Sequence, residues 1–319
     1  MRDLVFLQKG CICGNYVLFL QHNYINALIM KKLALLLCTA VFVLVGCEKE
    51  DPEKPSDTPT QIDSALAAPI QNFPATAEVI YDAVIDIEGH HYDAVKIGDQ
   101  IWMASNLRTA RYANGDWIPE EDFVMSFTKP FRYKPSGDFA LFGYLYNWSA
   151  VMHWDESSNA IPSGVQGVCP DGWHVPSAAE WEQLRNYCIT HSECCCNESS
   201  ESIAKSLAAD HSWHYSGKTC VPGNDLSANN ITGFSAVPAG TFVYMDYPEY
   251  GGGFWMLEKM ANFWSSYNHG QTNAYGISIS YNSHEVPPTA PVDKSQGFSV
   301  RCLKNDPPIV DSCRYKNSF

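Results

Sequence analysis

The chain has 319 residues, of which 45% are hydrophobic and 18% are charged, and its formal net charge is −14 at pH 7. One or two domains with a buried core fit this length and apolar content. The acidic balance argues against nucleic acid as the main partner, because phosphate binding needs clusters of Lys and Arg. The 12 cysteines are more typical of an exported chain with disulfides than of a cytosolic one, unless they bind metal.

An export signal is predicted near the start, where the segment from Met30 reads MKKLALLLCTAVFVLVGCEKED. Two lysines precede an apolar run that is too short to span a bilayer comfortably. The run leads into Leu-Val-Gly-Cys, which resembles the signal of bacterial lipoproteins, in which the cysteine is lipidated and becomes the mature N-terminus. An ordinary membrane anchor is the alternative. We therefore predict a signal peptide at 30–46, lipidation of Cys47, and an upstream extension, 1–29, that arises from a start codon assigned too early.

A tether and a cellular location are predicted from the residues that follow Cys47. The tripeptide KED at 49–51 resembles the acidic export signal that places lipoproteins of Bacteroidetes on the outer face of the outer membrane. A solvated charge run is the alternative. Residues 47–78 are rich in Pro, Asp, Thr and Ala, and we predict a lipidated N-terminus with a flexible linker. Loss of residues 1–46 leaves 17 basic and 34 acidic residues, a net charge of −17.

A β-meander is predicted where ordered structure begins, in the segment VIYDAVIDIEGHHYDAVKIGDQIWM. Turns at 88–89 and 98–99 separate three short strands in it. His90 and His91 fall at a hairpin tip, where we expect solvated rather than metal-bound side chains. The aromatic segment 144–152, YLYNWSAVM, is expected to be a buried strand or a short helix.

The stretch CPDGWHVPSAAEW, residues 169–181, could be part of an active site, or it could be the start of a helix. Ser177 and Glu180 form an S-x-x-E capping box, which favours the helix start. The apolar residues that follow share one helical face: Trp181, Leu184 and Cys188. A general acid at Glu180 would need an apolar pocket and a partner, and the sequence nominates no partner. A second helix is predicted from near Ser200 to Ala209.

Six segments in chain order carry a family resemblance: VKIGDQIWMASNLRTARYANG, FGYLYNWSAV, CPDGWHVPSAAEWEQL, GFSAVPAG, ANFWSSY and GFSVRCLK. They resemble the Fibrobacter succinogenes major paralogous domain, which is common in surface lipoproteins of Bacteroidetes. That family is similar to C-type lectin-like folds and, more distantly, to formylglycine-generating enzymes. The resemblance implies an α+β, C-type lectin-like domain at 79–305 with two helices, antiparallel strands that join the termini and long irregular loops. A tail at 306–319 follows.

The sharper motifs of these relatives are missing from the sequence. Calcium-dependent lectins use Glu-Pro-Asn or Gln-Pro-Asp with Trp-Asn-Asp as oxygen ligands, and none of these tripeptides occurs. Formylglycine enzymes need reactive cysteines late in the domain, but no cysteine lies between Cys220 and Cys302. His211 and His214 form H-x-x-H in an aromatic loop without a nearby Glu, which does not favour a metal site. We therefore predict no catalytic residue, no metal and no cofactor.

The cysteines after the lipidated one are expected to form disulfides outside the cell. In a lectin-like fold the last strand lies near the helical layer, which favours a bond between Cys169 and Cys302. Cys188 and Cys220 are expected to pair with each other or with the run of three cysteines at 194–196. Metal binding by that run is the alternative, although zinc ligands usually have a wider spacing. Cys313 is expected to attach the tail.

The best candidate for a ligand surface is the aromatic loop YMDYPEYGGGFW at 244–255. Its three glycines make it mobile or tightly turned. Tyr247, Tyr250 and Trp255 are predicted to offer flat faces to a ligand, and packing over the loop's own core is the alternative. We therefore expect a surface-anchored, non-catalytic binding or adhesion module for a glycan or a host surface protein. The alternatives are an enzyme on the same fold, of the formylglycine type or another, and a purely structural envelope protein.

Overall fold

The computed structural model describes residues 65–69, 71–121, 124–197, 199–244 and 252–305. These residues belong to the unit Gln61–Phe319. Strands dominate, with these bounds: β1 (Glu78–Ile85), β2 (His91–Ile97), β3 (Gln100–Met103), β4 (Arg132–Tyr133), β5 (Leu145–Tyr146), β6 (Trp173–His174), β7 (Thr241–Tyr244), β8 (Gly252–Trp255), β9 (Met260–His269), β10 (Asn273–Ser280), β11 (Ala290–Asp293) and β12 (Leu303–Lys304). The helices are α1 (Phe139–Phe142), α2 (Trp148–Met152), α3 (Ala178–Thr190) and α4 (Ala204–Leu207). The described chain is therefore mixed helix and sheet, mostly strands.

The expected β-meander is formed by β1, β2 and β3. Val95 in β2 lies opposite Val79 on one side and opposite Trp102 on the other, so all three strands are antiparallel. The short strand β12 pairs with both β3 and β6, which gives a sheet with the order β1-β2-β3-β12-β6. A strand from near the end of the described chain thus lies beside strands from its beginning, and one sheet holds both ends of the domain.

A second sheet has the strand order β11-β10-β9, and β4–β5 and β7–β8 form two-stranded pairs. Isolated bridges connect these parts. Phe242 in β7 pairs with Gly297, and Phe263 in β9 pairs with Ser299. The segment that leads into β12 therefore contacts the β7–β8 hairpin, the second sheet and the first sheet in succession.

The helix start that the capping box predicts is confirmed at α3. The Ser177 hydroxyl accepts from the Glu180 amide at 3.1 Å, and the Glu180 carboxylate accepts from the Ser177 amide at 2.8 Å. The predicted apolar face is buried against the core: Trp181, Leu184 and Cys188. Trp181 lies 4.5 Å from Trp102 of the first sheet and 5.5 Å from Phe263 of the second, measured between ring centroids. Helix α3 is therefore held between the two sheets by aromatic packing.

The predicted second helix is much shorter than expected, and residues 200–203 and 208–209 are not α-helical. No side chain caps its start at Ile203. At the other end of the helix, Ala208 forms an isolated β-bridge with Ala236. The Ala209 amide donates a hydrogen bond to the Ala236 carbonyl at 2.8 Å. Pairing with a distant segment therefore replaces helical hydrogen bonds at this point.

The aromatic segment 144–152 contains both of the expected structures. Leu145–Tyr146 is the strand β5, and α2 starts two residues later, where the Asn147 side chain accepts from the Ala150 amide at 3.0 Å. An asparagine at this position is a favoured helix cap, and it separates the strand from the helix.

Part of the segment that the composition assigns to a tether contacts the domain. The guanidinium of Arg108 donates to the carbonyl oxygens of Leu66 and Ala67 at 2.9 and 2.6 Å. The Gln71 amide donates to the Ala104 carbonyl at 2.7 Å. Within the described ranges, no helix has the length and apolar character needed to cross a membrane.

Candidate functional site

The stretch at 169–181 holds a buried histidine–carboxylate pair. Nε2 of His174 lies 2.9 Å from Oε1 of Glu180, and Nδ1 of His174 lies 2.7 Å from the Asn305 side-chain oxygen. The exposed fractions of the His174 and Glu180 side chains are 3% and 2%. Both ring nitrogens are occupied, and the second carboxylate oxygen caps α3. Each of these ring nitrogens and carboxylate oxygens thus has a partner within the protein, and the pair supports the helix start.

The other histidines singled out in the sequence contact neighbouring side chains. His211 lies 3.1 Å from the Ser212 hydroxyl, and His214 packs edge-on against Tyr281. His90 and His91 differ from expectation, because each Nδ1 contacts a carboxylate, of Asp86 and Asp82 respectively, rather than solvent alone. Among the described residues, no three His, Cys, Asp or Glu side chains are arranged to hold a metal ion.

Burial and hydrogen bonding shift the pKa of Asp86 in opposite directions. Burial alone raises the pKa of this carboxyl, but hydrogen bonds from His90 and Tyr92 outweigh it and lower the pKa below its usual value. Asp86 also accepts from the His90 amide at 3.0 Å and from the Tyr92 hydroxyl at 2.6 Å. The carboxylate at this hairpin is therefore held ionised as a structural acceptor for the turn.

Two disulfides are present in the described chain. Cys169 is bonded to Cys302, which ties the loop before α3 to the residue immediately before the last strand, β12, and this is the pairing that the family resemblance favours. Cys220 is bonded to Cys196, a member of the predicted run. Both bonds link segments that are distant in sequence, at separations of 133 and 24 residues.

The expected bond at Cys188 is not formed, which corrects that assignment. Cys188 is a free thiol with no exposed surface, because it lies on the buried face of α3 while Cys220 is bonded elsewhere. Cys194 and Cys195 are free as well. The predicted lipidation site Cys47 and the tail cysteine Cys313 lie outside the described residues.

The predicted aromatic loop is described only at its two ends. Tyr247 and Tyr250 lie outside the described residues, whereas Trp255 is the last residue of β8, pairs with Thr241 and is 49% exposed. The neighbouring Phe254 packs on Phe242 with 5.2 Å between the ring centroids. One side of the hairpin therefore packs on the domain, and Trp255 remains available to a ligand.

The structure also forms a polar groove that the sequence did not indicate. It has a volume of about 430 Å³ and is lined by polar side chains from three separate loops: Asn114, His153, Asp155, Gln166 and Asp171. Trp154 lies in the chain between two of these lining residues and is 73% exposed. We call this feature the Trp154 groove. Its only local sequence signal is a set of polar residues within Gly-rich and Pro-rich loops.

The backbone beside the groove is strained. His153 and Trp154 have φ angles of 47° and 69°, in the left-handed region that residues with a Cβ rarely adopt. Stacking of His153 on Tyr112 at 3.6 Å and a hydrogen bond from the Gly167 amide to Asp155 at 2.9 Å hold this conformation. Strain that is maintained by its surroundings is common at ligand sites, and here it occurs at an exposed tryptophan that adjoins two lining residues in the chain.

The groove retains hydrogen-bonding capacity. Asp155 uses Oδ2 for the Gly167 amide, and Asp171 uses Oδ1 for the Gln166 side-chain amide at 2.8 Å. Within the described ranges the second oxygen of each carboxylate accepts no hydrogen bond. Two carboxylate oxygens of the groove are thus open to hydrogen-bond donors, such as the hydroxyls of a ligand.

These observations define a strand-rich domain of mixed helix and sheet with two disulfides and with exposed tryptophans that include Trp154 and Trp255. The sequence model of the Fibrobacter succinogenes major domain matches residues 95–304, about two thirds of the chain. The chain therefore belongs to the Fibrobacter succinogenes major domain family, as its motifs indicated. No curated protein and no solved structure matches it significantly.

Proposed function

We propose that the protein is a surface-anchored binding or adhesion module and that its ligand is a neutral glycan. The observation that carries this proposal is the Trp154 groove, which polar side chains from three loops line and where the strained, exposed Trp154 lies in the chain between two lining residues. An indole face stacks on the C–H face of a sugar ring, and neighbouring acceptors bind its hydroxyls. A lipid anchor at Cys47 and a C-type lectin-like arrangement of the domain belong to the same proposal.

The charge of the groove selects among glycans. Asp155 and Asp171 supply acceptors, and the chain from residue 47 onward has a net charge of −17. Sialylated or sulfated glycans would be repelled by these carboxylates, whereas neutral and amino sugars would not. The same repulsion argues against nucleic acid as a partner. The ligand class is therefore a neutral or amino-substituted glycan, displayed on a host cell or on a host surface protein.

The β7–β8 hairpin is the competing ligand surface. Trp255 is exposed on this hairpin next to the exposed Met256. A protein is the partner that these two side chains favour, because tryptophan and methionine are enriched at protein interfaces.

The enzyme alternative is favoured by a different observation, the three free thiols of the described chain. A purely structural envelope protein would bind neither a glycan nor a host protein.

The test is a binding screen with the purified chain from residue 48 onward, which contains every described residue. It is applied to an array of neutral, amino, sialylated and sulfated glycans and of host matrix proteins. The variants are Trp154→Ala, Asp171→Asn and Trp255→Ala, with Tyr215→Ala as the matched control, since Tyr215 is 75% exposed but belongs to none of the three loops that line the groove. Far-UV circular dichroism establishes that each variant is folded.

We expect binding to neutral glycans that Trp154→Ala weakens by about tenfold or more, equivalent to ~1.4 kcal/mol, while Tyr215→Ala leaves it unchanged. Loss of binding in Trp255→Ala alone would overturn the assignment of the ligand site to the groove. The ligand would then bind at the β7–β8 hairpin. Absence of binding to every glycan and matrix protein would overturn the adhesion module itself.

A further inference from the structure

A second cleft opens where β12 ends. It has a volume of about 790 Å³, larger than that of the Trp154 groove, with which it shares no lining residue. The start of β3, helix α3, the loop at 161–162 and the end of the described chain at Asn305 all contribute to its lining. We call this feature the Asn305 cleft. A cavity of this volume accommodates a ligand of drug size.

Aliphatic side chains supply part of the lining. Ile101, Ile161, Pro162 and Leu303 belong to it, and Ile161 is 60% exposed. An aliphatic side chain that stays in contact with water at a concave surface is stabilised when an apolar group covers it. The cleft therefore favours an occupant with aliphatic side chains.

The polar lining residues leave donors open. The Gln183 side-chain oxygen accepts from Gln100 at 3.5 Å, and the Asn305 side-chain oxygen lies 2.7 Å from Nδ1 of His174. Within the described ranges, the side-chain nitrogens of Gln183 and Asn305 donate no hydrogen bond. Such nitrogens pair with carbonyl oxygens of an extended main chain. The cleft therefore suits a peptide segment that is extended and aliphatic.

The chain itself continues from this cleft. The Asn305 amide donates to the Gly172 carbonyl at 2.9 Å, and both Gly172 and His174 line the cleft. Asn305 is thus held at the cleft by its main chain and by its side chain. Residues 306–310, which follow it, read Asp-Pro-Pro-Ile-Val. An aliphatic segment therefore begins within two residues of the cleft.

The sequence of this segment lowers the cost of docking. Proline fixes its own φ and disfavours helical geometry for the residue before it, so the two prolines restrict the segment before any contact forms. Docking then loses less conformational entropy. Four residues of extended chain span at most about 14 Å, which keeps Ile309 near Asn305. The segment is therefore present at the cleft at an effective concentration of about a millimolar, and a weak contact suffices.

We propose that residues 306–310 of this chain occupy the Asn305 cleft and close it. Ile309 and Val310 cover the aliphatic lining, which includes the exposed Ile161, and main-chain carbonyl oxygens accept from Gln183 and Asn305. A segment of the same chain is favoured over an outside peptide because it is already attached at the cleft. The cleft is therefore closed to outside ligands in the intact chain.

The inference does not depend on the proposed glycan, because the two sites share no lining residue. Its first test uses the purified chain from residue 48 onward with Ile309→p-benzoylphenylalanine, which introduces a photoreactive side chain. Irradiation couples this side chain to neighbouring residues, and mass spectrometry of the digested product maps them. Asn317→p-benzoylphenylalanine is the control, because position 317 lies beyond the aliphatic segment.

We expect Ile309→p-benzoylphenylalanine to couple within one chain to residues 99–101 or 161–162, and the control not to do so. Coupling elsewhere on the domain, or coupling without a preferred site, would overturn the proposal. A cross-linked dimer would overturn it as well, because the cleft would then hold the segment of a second copy.

A second test measures how far the segment is protected from proteolysis. A protease that cuts after aliphatic residues reaches Val310 when the segment leaves the cleft, so the rate of cutting follows the undocked fraction. Ile161→Ser removes exposed aliphatic lining and should speed cleavage at Val310 by about fivefold or more. Ile231→Ser is the matched control, since Ile231 is 40% exposed and does not line the cleft, and its rate should equal that of the wild type.

Equal rates of cleavage at Val310 in the wild type and in folded Ile161→Ser would contradict docking, and circular dichroism verifies that the variants are folded. Glycan binding that fails while the cross-links to 99–101 or 161–162 still form would overturn only the proposed function. Cross-links that fail while glycan binding persists would overturn only the docked segment.

Discussion

The imidazole of His174 and the carboxylate of Glu180 are joined by a 2.9 Å hydrogen bond between Nε2 and Oε1, with both side chains almost fully buried. Glu180 also accepts from the Ser177 amide, and His174 contacts the side chain of Asn305. One carboxylate thus connects the start of α3, the strand β6 and the end of the last described strand. The acidic residue and the histidine of this stretch form a structural junction.

Removal of this carboxylate should strongly destabilise the domain. Glu180→Ala leaves the His174 Nε2 position and the Ser177 amide without partners in a buried place, which costs about 3–5 kcal/mol. Urea denaturation followed by circular dichroism measures the change in the free energy of unfolding. Glu285→Ala is the control, since its side chain is 53% exposed, and it should change that energy by less than about 0.5 kcal/mol. A decrease of less than about 1 kcal/mol in the free energy of unfolding of Glu180→Ala would contradict the structural role of this carboxylate.

The two disulfides should contribute unequally to stability. A bond that closes a longer loop restricts the unfolded chain more, and the separations are 133 residues for Cys169–Cys302 and 24 for Cys196–Cys220. From loop length alone, replacing both members of the first pair by Ala should cost about 1.5 kcal/mol more than replacing both members of the second. Guanidinium denaturation of the two double variants tests this order, and the reverse order would show that native-state strain dominates.

Stability should fall in alkaline solution because of buried phenols. Burial raises the pKa of Tyr92, Tyr112 and Tyr146 above the ordinary value of 10.0. The folded state therefore holds these protons at pH values where the unfolded state has released them, and the free energy of unfolding decreases as the pH rises above about 10. Denaturation at a series of pH values measures the slope, and absorbance at the phenolate band reports ionisation.

Tyr112→Phe is the informative comparison for this pH dependence. The Tyr112 hydroxyl is buried without a hydrogen-bond partner among the described residues, whereas Tyr146 donates to the Thr109 carbonyl at 2.7 Å. Loss of the Tyr112 hydroxyl should therefore reduce the alkaline slope without a stability cost near pH 7, while Tyr146→Phe should cost about 1 kcal/mol there. If the free energy of unfolding depends on pH above about 10 in the same way in both variants and in the wild type, other groups cause the loss of stability in alkaline solution.

Gly252 should be intolerant of any side chain. A Cβ at this position would lie 1.9 Å from Cζ of Phe242, which is buried and stacked on Tyr133 at 3.9 Å. Because the Phe242 ring has no room to move, Gly252→Ala should destabilise the protein by about 1–3 kcal/mol and shift the hairpin that carries Trp255. Thermal unfolding measures the effect. Gly217→Ala, whose Cβ meets nothing closer than 3.9 Å, should be neutral, and equal stabilities of the two variants would contradict this packing.

The sequence predicted features that depend on neighbouring residues. The capping box of Ser177 and Glu180 and the meander with its two glycine turns follow from local hydrogen bonding and from alternation of apolar residues, and both are present. The prediction of a longer second helix was wrong, because pairing of Ala208 with Ala236 depends on a segment far away in the chain. Composition likewise assigned Leu66 to a tether, without any signal for its contact with Arg108.

By itself the sequence determined the family and the types of its main elements, because family motifs and helix caps are local patterns. The export signal, the lipid anchor at Cys47 and the outer-membrane location stay predictions. Only the tertiary structure decided which member of the cysteine run pairs with Cys220, that Asn305 contacts His174, and where polar side chains from three loops gather into the groove. Each of these is a contact between segments that are separated in sequence, and the packing of helix and sheets around a common core sets such distances.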